Sequence, residues 1–238
     1  MAALRRLISR VLAVRRRAGP AVVSLVVALA SVGCSPSPSD DAPTGAVPLT
    51  LEQASLLAEV LHRNREAGGA RFIVTARDTT TGATVVLDGQ VDWTAGQGLA
   101  DATGLRDAAG EVLAVAWTRD AVAEQRITGA PFVLRGVDTS QRTADRLIAI
   151  VLGLATERPD NAQLMLQKPE AGFVRRDVLR GVDVVVLRYS ERTLLWIDSD
   201  SGALLRFEGN DRQGTAPVVV DLIALGPVEV ELPAVAPG

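Results

Sequence analysis

Apolar residues recur with two different periods along the chain, and the changes between these periods mark the predicted elements. A first apolar stripe at helical spacing predicts an amphipathic helix over residues 51–67. Its members are Leu51, Ala54, Leu57, Ala58 and Leu61. Thr50 and Gln53 have the spacing of a capping box at the start of this helix, and Gly68-Gly69 ends it.

From Arg71 onward the period becomes two, which predicts β-strands. The strands predicted in this half of the chain span 71–77, 84–93, 96–106, 111–119 and 121–137, the last of these being one strand or two. Both faces of the strand over 111–119 are apolar, so we expect both to be covered.

A second helix is predicted after Ser140 or Thr139, either of which is a suitable N-cap. Its apolar residues are Ala144, Leu147, Ile148, Ile150, Val151, Leu152, Leu154 and Ala155. This stripe is too wide for a helix with one face in water, so we expect the helix to be buried or to face a cavity. Pro159 and Asp160-Asn161 end it.

The remainder of the chain has the pattern of a β-meander with a tail. Its predicted strands span 162–167, 172–180, 182–190, 193–198, 203–208 and 216–225, and residues 227–238 form a final edge strand that frays. Short sequential connections favour an antiparallel sheet, and so many strands would curl into a half-barrel or barrel. We therefore predict an α+β fold, a curved antiparallel β half-barrel with two helices packed on its concave face.

The N-terminus has the features of a secretory signal. Arg15-Arg16-Arg17 precede a short apolar run, Pro20 to Cys34, and a Ser/Pro-rich tract follows. The chain's single cysteine, Cys34, stands where a bacterial lipoprotein signal is cut, with Gly33 before it as the lipobox pattern requires. The resemblance implies that Cys34 becomes the first mature residue and carries acyl chains such as palmitate. The protein would then be exported and anchored by lipid to the extracytoplasmic side of the cell membrane.

Two features leave alternatives open at this end of the chain. Ser31 stands where the lipobox has an aliphatic residue, so an ordinary cleaved signal with a chance cysteine is one alternative. An uncleaved anchor is disfavoured because spanning a bilayer takes ~20 apolar residues. The arginine triplet is compatible with twin-arginine export, although Ala18-Gly19 lack the usual apolar continuation. The predicted organisation is a signal peptide over 1–33, a flexible Ser/Pro tether over 34–48 and a single domain over 49–238.

Charge and cysteine content exclude several classes of function. The first 33 residues hold six of the 25 basic residues, which leaves 19 against 28 acidic residues and a net charge of −9 in the mature chain. No basic patch typical of a nucleic-acid-binding protein is present in the sequence, so no nucleic acid is expected as a partner. With Cys34 assigned to the signal, no disulfide, CxxC site or zinc cysteine cluster can form.

Candidate catalytic and metal-binding motifs are few. His62 is the only histidine, and it lies among Arg63, Asn64 and Arg65 near a helix end, where a solvated histidine is expected. The segment Asp198 to Gly202 begins like a calcium loop, but the twelfth position is Gly209 rather than glutamate, and a hairpin turn accounts for it. We expect no metal and no cofactor.

Paired carboxylates are the remaining candidates for catalysis. Asp88 and Asp92 share a predicted strand face, as do Asp198 and Asp200, and glycosidases use such pairs. On the outward face of an antiparallel sheet these carboxylates would be solvated. No nucleotide-binding motif stands between a strand and a helix. We therefore predict that the protein is not an enzyme.

Several stretches resemble the LolA/LppX-like lipoproteins of actinobacterial envelopes, and the likeness spans most of the mature chain. They are the lipobox Cys34, the first helix after the tether, the strand Val85–Trp93 leading to Gly98, and the hairpin Leu195–Asp198 followed by Gly202–Phe207 with its Trp-apolar-Asp, turn, Gly, apolar-apolar-Arg pattern. The resemblance implies a helix-covered half-barrel that holds lipids or lipidated glycoconjugates and has no active site.

The apolar surplus supplies candidate lining residues for such a cavity. They are Val115, Trp117, Leu147, Ile148, Val151 and Leu152, from the doubly apolar strand and the apolar helix. The predicted function is a membrane-anchored lipoprotein that binds or carries a lipid, glycolipid or other amphiphile in an apolar cavity at the cell envelope. A tethered module with a solid core that docks an envelope protein is the alternative, and an exposed apolar patch on the sheet edge or tail would favour it. A hydrolase using carboxylates or Ser with His62 is the third hypothesis.

Overall fold

A computed structural model describes residues 46–78, 81–210 and 216–236. These residues belong to one compact unit, Pro43–Gly238. The predicted signal peptide and the acylation site Cys34 lie outside the described residues, so both stay predictions.

Three helices and fourteen strands make up this part of the chain. The helices are α1 (Leu51–Ala67), α2 (Thr143–Gly153) and α3 (Ala162–Gln167). The strands are β1 (Gly69–Arg77), β2 (Thr84–Asp92), β3 (Gln97–Thr103), β4 (Arg106–Asp107), β5 (Gly110–Glu111), β6 (Ala114–Trp117), β7 (Ala121–Gln125), β8 (Phe132–Gly136), β9 (Gly172–Leu179), β10 (Val182–Ser190), β11 (Thr193–Asp198), β12 (Leu204–Asn210), β13 (Pro217–Leu225) and β14 (Val235–Ala236).

Twelve of the strands form one large open sheet. Their order is β14-β8-β7-β6-β3-β2-β1-β13-β12-β11-β10-β9, while β4 and β5 form a separate small hairpin. All pairs in the large sheet are antiparallel except β14 with β8, which is parallel. The predicted α+β class with a large, mainly antiparallel sheet is confirmed.

The first helix is confirmed over its whole predicted length. The Thr50 side chain accepts from the Gln53 amide at 3.2 Å, and the Gln53 side chain accepts from the Thr50 amide at 2.9 Å, which completes the capping box. Gly68 ends the helix with φ +88°, a conformation that glycine adopts without steric cost. These three signals are local in sequence, which is why the pattern located both ends.

The prediction of two helices was wrong. A third helix, α3, occupies residues 162–167, where the apolar pattern predicted a strand. Asn161 caps it by accepting from the Gln163 amide at 2.8 Å, and the helix turns Met165 inward while Leu164 and Leu166 stay exposed. The capping position of α2 also differs from the prediction, because its N-cap is Arg142, without a side-chain hydrogen bond, rather than Ser140 or Thr139.

The main core lies between the helices and one face of the sheet. It combines buried side chains of α1 and α2 with the inward positions of the strands from β1 to β13, as in Leu57, Phe72, Trp117, Leu147 and Leu204. Two smaller clusters cover parts of the opposite face, which we call the outer face. One of them is an alanine-rich group with Phe132, and the other surrounds Trp196. The all-apolar strand β6 is buried on both faces, as predicted.

The C-terminal tail crosses the outer face from one part of the sheet to another. After β13 ends, Val228 lies beside Gly69 of β1, where a Cβ on Gly69 would be 3.1 Å from the Val228 Cβ. The Gln97 side chain then donates to the Val230 carbonyl at 3.4 Å. Val235–Ala236 finally pairs with β8, so the predicted edge strand of the tail is confirmed at this edge.

No helix among residues 46–78, 81–210 and 216–236 is long and apolar enough to cross a membrane.

Candidate functional site

A cluster of six charged residues lies where the N-terminal end of α2 meets the sheet. It contains three arginines and three carboxylates: Asp107, Glu124, Arg126, Arg135, Arg142 and Asp145. We call this set the charged cluster. Its formal charge is balanced, so its members neutralise one another inside the fold.

Asp145 is the most deeply buried member. Its side chain is 0% exposed, and both of its oxygens accept from the Arg135 guanidinium, at 2.7 and 2.6 Å. The Asp138 amide donates to the same carboxylate at 2.5 Å. This bidentate pair connects β8 to α2, and it is the strong form of a charge-assisted hydrogen bond.

Glu124 lies at the centre of the charged cluster and contacts three arginines. Its side chain is 6% exposed. It accepts hydrogen bonds from Arg126 and, at 2.6 Å, from Arg135 Nε. Arg142 Nη1 lies 3.5 Å from Glu124 Oε1. Burial alone would lower the pKa of Arg135, but its hydrogen bonds to Asp145 and Glu124 outweigh burial and raise that pKa. Arg135 therefore remains charged, and removing it would leave Asp145 without an arginine partner among the described residues.

Asp107 closes the charged cluster on the side of the β4–β5 hairpin. Arg126 donates to both of its oxygens, at 2.8 and 2.7 Å, and Arg142 adds a third bond at 2.9 Å. The hydrogen bond from Arg126 is the main reason that the pKa of Asp107 lies below its ordinary value, against the opposing effect of burial. A carboxylate so stabilised in its charged form is a poor proton donor or acceptor near neutral pH.

The charged cluster borders a cavity of about 450 Å³. Polar and apolar residues both line it, and most of the lining surface is apolar; the residues are Asp78, Thr81, Leu105, Arg106, Asp107, Ala108, Val112, Glu124, Gln141, Arg142, Thr143 and Ala144. Asp78 is buried here and accepts from Thr143 at 3.1 Å and from the Thr81 amide at 2.8 Å. Its charged side chains are engaged with other groups of the protein, as Arg106 is with Glu111.

Five of the six predicted lining residues lie inside the main core. Val115, Trp117, Leu147, Ile148 and Val151 are buried and pack in one cluster of side chains. Leu152 is partly buried against this cluster and borders a second cavity, of about 250 Å³. The structure thus brings the six together, and all of them pack against protein side chains. Their proposed role in ligand binding stays a prediction.

Two buried side-chain atoms, Asn64 Oδ1 and Trp117 Nε1, have no hydrogen-bond partner among the described residues. Trp117 is 2% exposed, and its indole Nε1 makes no hydrogen bond. The ring lies on Gly98 of the neighbouring strand, where any side chain would overlap it, and 6.2 Å from the ring of Phe72. Buried donors without an acceptor are uncommon in folded proteins, so this position is notable.

The other sequence candidates have structural partners. His62 Nδ1 lies 3.2 Å from the Thr156 carbonyl oxygen, and Nε2 lies 3.6 Å from Glu66. Asp198 accepts from both Ser201 Oγ, at 2.6 Å, and the Asp200 amide, at 2.8 Å, so it stabilises a hairpin turn. The Ser201 hydrogen bond is the main reason that the pKa of Asp198 is lowered. Asp88 of the proposed carboxylate pairs lies 3.4 Å from Arg71.

Within the residues that the structure describes, no group of three or more His, Cys, Asp or Glu side chains is arranged to hold a metal ion.

An exposed apolar patch follows the β8 edge of the sheet. Val133, Leu134 and Val137 are 50, 49 and 47% exposed, and Val235 of β14 is 47% exposed beside them. We call Phe132–Val137 the β8 edge. On the side of β8 away from β7, only Phe132 and Val133 pair with β14 in the described residues. The backbone of 134–136 has no neighbouring strand on that side. An exposed apolar patch on a sheet edge could be anticipated from the sequence. Its position could not, because it depends on the order of the strands, which the periodicity of apolar residues does not determine.

Comparison with known proteins gives structural likeness only. No family model matches the chain, and no curated protein matches it. An uncharacterized conserved protein from Thermus thermophilus is similar at 11% identity and a TM-score of 0.39, over 75% of this chain and 88% of that one.

Two further solved structures come from proteins of named families. A LolA superfamily protein from Nitrosomonas europaea is 12% identical with a TM-score of 0.30, over 77% of this chain and 96% of that one. MucB in the Pseudomonas aeruginosa MucA/MucB complex is 13% identical with a TM-score of 0.36, over 75% of this chain and 58% of that one. The similar structures include the LolA type to which the sequence has a resemblance, but TM-scores this low do not establish a shared family or function.

Proposed function

We propose that this protein is an exported, non-catalytic module of the cell envelope that docks an extended segment of a partner protein on the β8 edge. The observation that carries the proposal is that exposed Val133 and Leu134 lie on a strand whose backbone over 134–136 has no neighbouring strand on the side away from β7 among the described residues, with exposed Val137 directly after it. A strand edge of this kind is a template on which another chain can add a strand.

The chain's own tail supports this choice of occupant. Val235–Ala236 is an extended apolar segment, and it pairs with Phe132–Val133 in parallel orientation. The β8 edge therefore accepts an added strand over its first two residues, and among the described residues the stretch without a neighbouring strand continues directly from there. An occupant with small or branched apolar side chains, like those of the tail, matches the exposed patch.

The opposite edge of the sheet differs in chemistry. Strand β9 carries Arg175, Arg176 and Asp177 along its middle, beside exposed Val178. Charged side chains on an edge strand are a common protection against unwanted pairing. The contrast between the two edges supports docking at β8 rather than a general tendency of the sheet to associate.

A photo-crosslinking amino acid at Leu134, in the full chain expressed in its native host, tests the proposal. We expect a discrete adduct whose crosslink maps to an extended apolar segment of one partner. We also expect Val133→Lys to abolish the adduct, because a lysine on the edge opposes strand addition. The matched control places the crosslinker at Val178 of β9, which is 61% exposed. No adduct at Leu134, or one that survives Val133→Lys, would overturn the proposal.

The lipid anchor is the second part of this proposal. Acylation at Cys34 would hold the domain at the extracytoplasmic face of the membrane, with the residues before Val47 as a spacer, since Val47 itself pairs with Phe173 of β9. Metabolic labelling with palmitate should label the wild-type protein but not Cys34→Ala. Equal labelling of Cys34→Ala and the wild type would reject the lipid anchor. The result would not bear on the docking surface.

Binding of an amphiphile within the core is a second candidate function. We infer it from Trp117, whose buried Nε1 has no described acceptor and which lies among the predicted lining residues. The polar group of a lipid could supply that acceptor if α2 moved away from a sheet that curves around it as a half-barrel. Native mass spectrometry of the protein before and after delipidation tests this. A lipid-sized mass that delipidation removes would support it, and a bare polypeptide that takes up no added envelope lipid would reject it.

A further inference from the structure

Two arginines are fixed at one small cavity by the turn that follows β2. Arg65 of α1 donates from Nη1 to the Trp93 carbonyl, and Arg119 donates from Nη2 to the Thr94 carbonyl at 3.4 Å. Gly96 of the same turn has φ +71°, and a side chain there would overlap Arg119. The backbone of this turn thus positions both guanidiniums, and the absence of a Cβ at Gly96 lets the Arg119 side chain lie against it.

The cavity between these arginines has an apolar wall. Its volume is about 250 Å³, and Trp93, Leu152 and Ala155 line it beside Arg65 and Arg119, together with Gly96 and Glu157. The indole of Trp93 is itself held in place, because Nε1 donates to the Val151 carbonyl of α2 at 2.9 Å. The wall is therefore a rigid part of the core that reaches the surface.

The charge of the site favours an anion. In the stretches that the structure describes, Arg65 and Arg119 bond only to backbone carbonyls and form no ion pair. Each guanidinium has five N–H donors, so several on each remain available. Glu157 also lines the cavity, but it is not within ion-pair distance of either arginine. Two cations against one carboxylate leave a net positive charge beside an apolar surface.

The geometry points to a binding site for the oxyanion head of an amphiphile, a carboxylate or phosphate that carries an alkyl chain. The head would lie between Arg65 and Arg119, and the first methylenes would contact Trp93, Leu152 and Ala155. The volume corresponds to roughly eight water molecules at about 30 Å³ each, enough for the head and the first carbons but not for a whole lipid. The site lies apart from the β8 edge, so this inference does not depend on the docking proposal.

Isothermal titration of the full chain with octyl phosphate tests the site. Inorganic phosphate and octyl glucoside are titrated in parallel, because the first lacks the chain and the second lacks the charge. We expect saturable 1:1 binding of octyl phosphate and weaker binding of both comparison compounds. Equal binding of inorganic phosphate would overturn the amphiphile part of the proposal, and equal binding of octyl glucoside would overturn the oxyanion part.

Substitution locates the binding. Arg119→Gln should weaken octyl phosphate binding by at least tenfold, since a hydrogen bond to a charged group contributes roughly 1.5–3 kcal/mol and about 1.4 kcal/mol is tenfold. Arg119 is exposed, so the variant should fold, which circular dichroism checks. Arg158→Gln, an exposed arginine nearby that does not line the cavity, removes the same charge and should leave the affinity unchanged. Equal affinities for both variants and the wild type would overturn the site.

Discussion

The pair between Arg135 and Asp145 should be among the most sensitive polar contacts in this fold. Arg135→Ala removes two of the three described hydrogen bonds to a carboxylate whose side chain is 0% exposed. Breaking a buried ion pair by deleting one partner costs roughly 3–5 kcal/mol, because the other charge stays buried without compensation. That is a large part of the roughly 5–15 kcal/mol by which a domain is stable, and it corresponds to a decrease in Tm of about 6–20 °C.

Urea denaturation of Arg135→Ala, Asp145→Ala and the double variant measures this cost. The double variant should lose less than the sum of the two single losses, because the second change removes the charge that the first left unpaired. Arg71→Ala is the matched control, since its pair with Asp88 spans 3.4 Å with the two side chains 55% and 45% exposed. We expect the control to cost at most about 1 kcal/mol. If Arg135→Ala cost no more than the control, the reasoning from burial would be refuted.

Three further predictions concern other elements. Gly98→Ala should destabilise by roughly 1–3 kcal/mol in urea, because its methyl group would overlap the Trp117 ring, whereas Gly153→Ala has open space and should stabilise by up to about 1 kcal/mol. Thr50→Ala removes the capping box and should cost about 1 kcal/mol in thermal melts; an unchanged Tm would argue against the cap. The folded-state pKa of Asp107 is below the unfolded value of about 3.9, so its stabilisation is present above that pH and is lost as the pH falls through the folded pKa. Asp107→Asn should therefore be less stable near neutral pH and lose less on acidification, measured as unfolding free energy against pH.

The elements that sequence predicted well are those with local determinants. The first helix combines an apolar stripe, a capping box and a terminal glycine within one segment, and its observed span, Leu51–Ala67, is the predicted one. The strands also follow their alternation, as β2 over Thr84–Asp92 shows. The α3 segment has six residues, too few for a helical period to be distinguished from alternation, so its Asn161 cap was the only local sign of a helix.

The candidate sites depend on contacts between distant parts of the chain, which the sequence pattern could not supply. Glu124 and Arg135 are 11 residues apart, and the acid that completes their contacts, Asp145, comes from a helix. A charged residue at an inward position of a strand, such as Glu124, was a usable sign of a buried charged cluster, because such a residue is expected to be paired with an opposite charge. The apolar pattern located buried positions such as Val115 and Val151, but burial against side chains and burial against a ligand have the same pattern.

The attachment of α2 at both ends determines where ligands can bind without large rearrangement. Its first turns are held by Asp145 and Arg135, while at its other end Trp93 donates to the Val151 carbonyl and Asn64 donates to that of Leu154, at 2.9 and 2.7 Å. Moving α2 from the sheet to admit a lipid would break all of these contacts, at a cost comparable to the stability of the domain. Ligands at the β8 edge or at the Arg65–Arg119 cavity break none of them. Amide hydrogen exchange in α2 should therefore stay slow, or slow further, when octyl phosphate binds, and faster exchange on binding would show that the helix opens and that the core is the ligand site.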